Sequence, residues 1–171
     1  MSASISRIAA LVLRYVYLFR SSWARVAELA YWPILQMITW GFITQFFQSH
    51  STWVVTASGV LLGGVMLWDV LFRGQIGLSI SFLEEMWSRN LGHLFVSPLR
   101  PYELIAALMT MSLLRTLIGA VPAAFLAWVF YDFSILSIGL PLLAFFLCLM
   151  VMSWAMGLLA VSLVLRAGLG A

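Results

Sequence analysis

The stretch WSRNLGHLFVSPLRPYE, residues 87 to 103, interrupts a chain that is otherwise almost continuously apolar. Trp87, Leu91, Leu94 and Phe95 recur at i, i+4, i+7 and i+8, one apolar stripe on a helix, while Ser88, Arg89, Asn90, Gly92 and His93 cover its other faces. This spacing predicts a short helix over 84–96, opening at Glu84 and Glu85. Ser97-Pro98 ends it, because the residue before a proline is pushed out of the helical region. Arg100 is followed by Pro101, which suits the first turn of a new helix, and Glu103 favours the dipole of that helix. The result is a short amphipathic helix and a rigid turn. On these residues alone it is either a loop helix resting on a membrane or a compact knob presented to a soluble partner.

The surroundings supply the membrane. Of 171 residues, 64% are hydrophobic and 9% charged, against about a quarter charged in soluble domains. A chain this apolar cannot cover its surface with polar groups, so the predicted class is an all-α integral membrane protein. All nine basic residues are arginine. Without lysine there is no P-loop, so this chain cannot use that route to ATP, and there is no Schiff-base or kinase lysine. Cys148, alone in an apolar run, reads as a packing residue. No His, Cys, Asp or Glu cluster has metal-ligand spacing. The net charge of +3 is too scattered for a nucleic-acid surface.

Four spans are predicted, at 28–48, 54–83, 104–130 and 135–165, behind an N-terminal segment, 1–27. In that segment Arg7, Arg14 and Arg25 fall on one helical line and Ile5, Ile8, Val12, Val16 and Phe19 lie toward the other face. This predicts an interfacial amphipathic helix with its basic side toward anionic headgroups. In the first span Pro33 falls near the start, and Gly41, Thr44, Gln45 and Gln48 form a stripe for helix packing or for a substrate path. Gly59 and Gly63 in the second span, and Ser153 and Gly157 in the fourth, have the spacing of close-packing pairs. The second span is about 45 Å long at 1.5 Å per residue, more than the ~30 Å hydrocarbon core. It is expected to tilt, to kink near Gly74 and Gly77, or to project into the cytoplasm. A kink is also expected at Pro122, and Pro141 falls near the outer end of the fourth span.

Arginines set the orientation. Arg7, Arg14, Arg20, Arg25, Arg89, Arg100 and Arg166 all fall on one side of this topology and none on the other, which predicts both ends and the 84–103 loop to be cytoplasmic. Asp69, Arg73 and Arg115 fall inside spans at similar depth, where lone charges cost several kcal/mol. They form either an Asp69–arginine pair that fixes the register of spans two and three, an Asp69–Arg73 bridge at i, i+4 being one form of it, or a site for an anionic headgroup or a hinge broken during transport.

The run EEMWSRNLGHLFVSPLRPYELIAAL, residues 84 to 108, and within it SPLRPYEL, residues 97 to 104, resemble the cytoplasmic loop of ABC-2 type transporter permeases. The arginine-rich start, ELAYWPILQMITWGF and the long second span are similar as well. Many members carry Gly-Thr-x-Glu where this chain has Arg89-Asn90-Leu91-Gly92, so the acidic docking contact is missing here. The resemblance implies a membrane-spanning permease subunit of an ATP-driven exporter, not itself an enzyme, in a bacterial inner membrane. It would form a homodimer or heterodimer with another permease subunit, surrounded by membrane lipids, with ATP and magnesium held by a separate ATPase subunit and no cofactor on this chain. Glu84 to Val96 would be the coupling helix, with Glu84, Glu85, Trp87, Arg89, Leu91, His93, Leu94, Phe95, Ser97, Pro98 and Arg100 as docking residues. Against the family pattern residues 1–171 would be one transmembrane domain, incomplete after the fourth of six spans. The alternatives are a membrane-embedded lipid-processing enzyme using Glu84, Glu85 and His93, and a structural membrane protein without transport activity.

Overall fold

The computed structural model describes residues 2–20, 22–50 and 52–167, with side chains described except at 2, 3, 25 and 47–59. Among the described residues the chain is helical, without a strand. The helices are α1 (Ser2–Arg20), α2 (Trp23–His50), α3 (Thr52–Trp87), α4 (Leu91–Val96), α5 (Pro101–Tyr131) and α6 (Leu140–Ala167), with a 3₁₀ turn at Ile135–Ile138. Three of them, Val60–Trp87 of α3 together with α5 and α6, are long and apolar enough to cross a membrane. The α3 and α5 helices, of 36 and 31 residues, extend about 54 and 46 Å. Both therefore exceed a ~30 Å hydrocarbon core and must tilt or project. α2, expected to be a span, is less apolar because Glu28, Gln36, Thr39, Thr44 and Gln45 interrupt it.

α6 shows how the sequence suits lipid. It buries only Met150, Ser153, Gly157 and Val161, one stripe at helical spacing, while Leu143, Phe145, Leu147, Val151, Leu159 and Leu163 point outward. Such an arrangement would be inside out in water, but it matches an apolar solvent. The buried stripe seats on α3. A Cβ added to Gly74 would stand 2.9 Å from the Ser153 Cβ, and one added to Gly157 would stand 3.1 Å from the Gln75 carbonyl oxygen. Ser153 and Gly157 thus pack as their spacing predicts, but their counterparts on α3 are Gly74 and the backbone beside it. Gly63 instead faces the Phe133 ring, and the side-chain surroundings of residue 59 lie outside the described part. α3 runs on through Gly74 and Gly77, which serve close approach rather than a break.

α3 is the central helix and touches α2, α5 and α6. α1 does not lie across the others. Arg7 meets Glu103 and Phe19 meets Arg115, so α1 runs beside the first turns of α5 in the same direction. After Ser22, which is not helical, α2 continues along the rest of α5, with the Leu29 carbonyl against Gly119 and the Ile38 carbonyl accepting from the Tyr131 hydroxyl. Pro33 is consequently an interior residue of α2, not one of its first turn.

Two apolar clusters result. The first joins Leu11, Tyr15 and Phe19 of α1 to Leu78 and Phe82 of α3, to Leu104, Leu108 and Met111 of α5 and to Val161 of α6. The second joins Met37, Leu62, Met66 and Ala127. Asp69, Arg73 and Arg115 fall between them along α3 and α5.

Candidate functional site: an ion-paired loop and a charged cavity

The 84–103 loop is built from a helix end, a turn, a short helix and a helix start. α3 ends at Trp87 because Arg89 adopts the left-handed conformation, φ 54°. The Asn90 N–H then bonds the Glu85 carbonyl at 3.1 Å and the Arg89 N–H bonds the Met86 carbonyl at 3.1 Å, the paired bonds that close a helix C-terminus. The single helix expected over 84–96 is therefore divided, and only Leu91–Val96 forms α4. The turn takes precedence because those two bonds satisfy end carbonyls that a continuing helix would have bonded otherwise.

The other boundary follows the sequence expectation. Ser97 is extended, ψ 159°, before Pro98, and its hydroxyl donates to the Leu94 carbonyl at 2.6 Å. Pro101 opens α5, and the Glu103 carboxylate reaches back to accept the Arg100 N–H at 3.0 Å. The exposed Arg100 guanidinium donates to the Tyr102 hydroxyl at 3.0 Å, a bond that holds its pKa above the usual arginine value.

The apolar stripe separates into two groups. Leu91 and Leu94 pack against the first cluster, as does Leu99. Trp87, Phe95 and Val96 are 62, 64 and 89% exposed, and His93 and Arg89 are exposed beside them. Of the predicted docking residues, Trp87, Arg89, His93, Phe95, Ser97, Pro98 and Arg100 face outward, whereas Leu91 and Leu94 turn toward the protein.

Glu85 also turns inward. Buried at the end of α3, it accepts from Arg14 at 2.8 and 3.1 Å and from the Asn90 amide at 2.6 Å. Glu103, fully buried, accepts from Arg7 at 2.9 Å and from the Ser4 hydroxyl. Arg7 and Arg14 of the basic line thus meet two glutamates at the ends of the loop, while the side chain of Arg25, the third residue of that line, lies outside the described residues. The outward face of α1 carries Ile5, Leu13, Val16, Tyr17 and Leu18. The pairing has a physical reason: two buried carboxylates demand cations, and Arg7 and Arg14 are cations within reach. Burial, and secondarily the Glu85 carboxylate, push the Tyr15 phenol well above its ordinary range.

The charges between the two clusters line a cavity of about 570 Å³ walled by Phe19, Glu28, Leu29, Trp32, Gln36, Asp69, Phe72, Arg73, Ile76, Gly77, Ile80, Glu84 and Arg115. Arg73 is held within α3 by Asp69 at 2.6 Å, the i, i+4 pair. It also donates to the Leu29 carbonyl at 2.9 Å. Pro33 explains that second bond, because a proline four residues on has no N–H to give this carbonyl. Arg73 replaces the missing donor from the neighbouring helix. Arg115 does not meet Asp69: it reaches Glu84 at 3.3 Å and stacks over Phe19 at 5.2 Å. The register between α3 and α5 is set by Arg115 with Glu84 and by the Ser112 hydroxyl, which donates to the Gly74 carbonyl at 2.6 Å. Two cavity residues keep unused hydrogen-bonding capacity: Arg115 Nε and Gln36 Oε1 are buried without partners.

Sequence reasoning missed Gln36, Glu28 and Trp32 as cavity residues. They lie at i, i+4 and i+8 on one face of α2, a signal present in the sequence that points to a site only once α3 and α5 are placed. The four-residue stripe of α2 divides: Gly41 and Thr44 are buried, Gly41 beneath the Tyr131 ring, while Gln45 is exposed and the Gln48 side chain lies outside the described part. Among the described residues no group of three His, Cys, Asp or Glu could hold a metal ion. No protein-family model, curated protein or solved structure gives a match to this chain.

Proposed function

We propose that this chain is the membrane-spanning permease subunit of an ATP-driven exporter of the ABC-2 type, with α2, α3, α5 and α6 as four spans. The loop between α3 and α5 faces the cytoplasm in this reading, and an ATP-hydrolysing subunit docks on it. The observation that carries the proposal is the loop itself: a stiff turn exposing Trp87, Phe95 and Val96 and ending in SPLRPYEL. Exposed aromatic residues beside polar ones are what a docking tip requires. Its ends are tied to α1 by Arg14–Glu85 and Arg7–Glu103 and to α5 by Arg115–Glu84, so a push on α4 reaches α1, α3 and α5 together. The sequence contains no lysine and hence no P-loop, which agrees with a reading in which a separate subunit hydrolyses ATP.

In this account α1 is an amphipathic helix at the cytoplasmic membrane boundary that braces the loop, with its outward apolar face in lipid. A second permease chain completes the translocation path. The acid–base reading with Glu84, Glu85 and His93 has less support, because both glutamates are in ion pairs while His93 faces solvent.

Co-purification tests the proposal. The wild-type chain should retain an ATPase subunit expressed with it, and Phe95→Asp with Val96→Asp should release that subunit while the membrane chain remains folded. Equal retention by the double variant would remove the docking assignment.

A further inference from the structure

The cavity between the two apolar clusters has the chemistry of a binding site in its own right. Its volume of about 570 Å³ lies within the range of small-molecule sites, roughly 300–1,000 Å³. It runs along α3 from Asp69 to Glu84, about 22 Å at 1.5 Å per residue, so it is long enough for a polar head and part of an alkyl chain. Trp32, Phe72 and Ile80 on its wall are 58, 49 and 39% exposed, so the cavity is open on the side of these apolar residues. In a membrane that side meets lipid, so a ligand enters from the bilayer.

The polar side of the wall selects the head. Glu28, Asp69 and Glu84 supply three carboxylates and Arg73 and Arg115 two guanidiniums. Arg73 is committed to Asp69 and to the Leu29 carbonyl. Arg115 meets Glu84 at 3.3 Å and the Phe19 ring at 5.2 Å, and its guanidinium stands on the cavity wall, where it can donate to an anion as well. Gln36 brings an amide to the same wall. Glu28, Trp32 and Gln36, one face of α2, offer a carboxylate, an aromatic face and an amide oxygen, which together suit an ammonium. A purely anionic head would meet more carboxylates than guanidiniums. A purely cationic one would meet the like charges of Arg73 and Arg115.

We propose that this cavity binds a zwitterionic amphiphile, with its phosphate on Arg115, its ammonium along the Glu28–Trp32–Gln36 face and its chain against Phe72, Ile76 and Ile80. The site rests on the membrane reading of the chain but not on ATPase docking, so it is tested without a partner subunit.

The experiment is native mass spectrometry of the purified chain in a neutral detergent, titrated with three probes: short-chain phosphatidylethanolamine, phosphatidylglycerol with the same chains, and phosphoethanolamine without chains. The ethanolamine lipid should bind one per chain, at least tenfold tighter than the glycerol lipid, and phosphoethanolamine should not bind at the same concentration. Arg115→Gln should weaken the ethanolamine lipid at least tenfold. The exposed Glu28→Gln, which leaves the packing untouched, should narrow the preference between the two lipids toward unity. Equal or tighter binding of the glycerol lipid, binding of phosphoethanolamine as strong as that of the lipid, or an unchanged preference in Glu28→Gln would each overturn the proposal.

Discussion

Arg89 occupies a backbone conformation, φ 54°, that side chains other than glycine adopt at a cost of about 1–2 kcal/mol. It does so because the bonds from Asn90 and Arg89 to the end of α3 are made only there. Arg89→Gly should therefore raise the thermal midpoint of the purified chain, by a gain of about 0.5–1 kcal/mol once the greater freedom of glycine in the unfolded chain is deducted. A lower midpoint would show that the guanidinium, not the turn, is what matters at this position. Tyr15 gives a pH prediction. Its phenol is held neutral by burial and by Glu85, so its pKa is raised in the fold above the ordinary value of 10. The stabilisation is complete below that value and is lost as pH rises past it, because the unfolded chain then releases a proton that the folded chain retains. Unfolding midpoints above pH 10 should fall less steeply in Tyr15→Phe than in the wild type.

At the scale of elements, α1 is the one whose role the sequence most misleads. Its arginine line was legible, but the partners of that line were not. Glu85 and Glu103 lie 71 and 96 residues away from Arg14 and Arg7, and a periodicity cannot say whether a basic face meets lipid or protein. Arg14→Ala should leave the Glu85 carboxylate short of a cation and cost about 1–3 kcal/mol, the penalty for a buried charged group that loses a partner. Faster proteolysis between α1 and α2 than in the wild type is the measurement; an unchanged rate would mean α1 is held by Leu11, Tyr15 and Phe19 alone. The α3–α6 contact was half legible. Ser153 and Gly157 announce a close approach, but which α3 glycines receive them depends on how deep each helix sits. Gly74→Val places carbon atoms where the Ser153 Cβ now stands 2.9 Å from the added position. It should separate α6 from α3 and lower the thermal midpoint, whereas Gly64→Val, at a position with open space beside it, should not.

For the whole molecule, composition alone indicated an all-helical chain suited to a membrane, because an apolar excess of this size has no alternative in water. Pro98 and Pro101 placed the ends of the loop for equally local reasons. The division of Leu91 and Leu94 from Phe95 was not legible, since it depends on how the turn at 88–90 rolls α4 against the first cluster. The cavity was legible only as three charges at similar depth. Its other wall comes from α2, whose approach to α3 is fixed by Pro33 and by the Arg73 bond to Leu29. The proposed contact between the outward tip of the loop and an ATP-hydrolysing subunit can be tested directly, since Cys148 is the only native thiol to remove. The direct measurement is cross-linking from Phe95→Cys in a Cys148→Ser background, with the ATPase subunit co-expressed. The account predicts a covalent adduct of the two chains from position 95 and none from Leu163→Cys on the outer face of α6. A position-95 thiol that reacts freely with a water-soluble reagent yet never joins the ATPase subunit would contradict it.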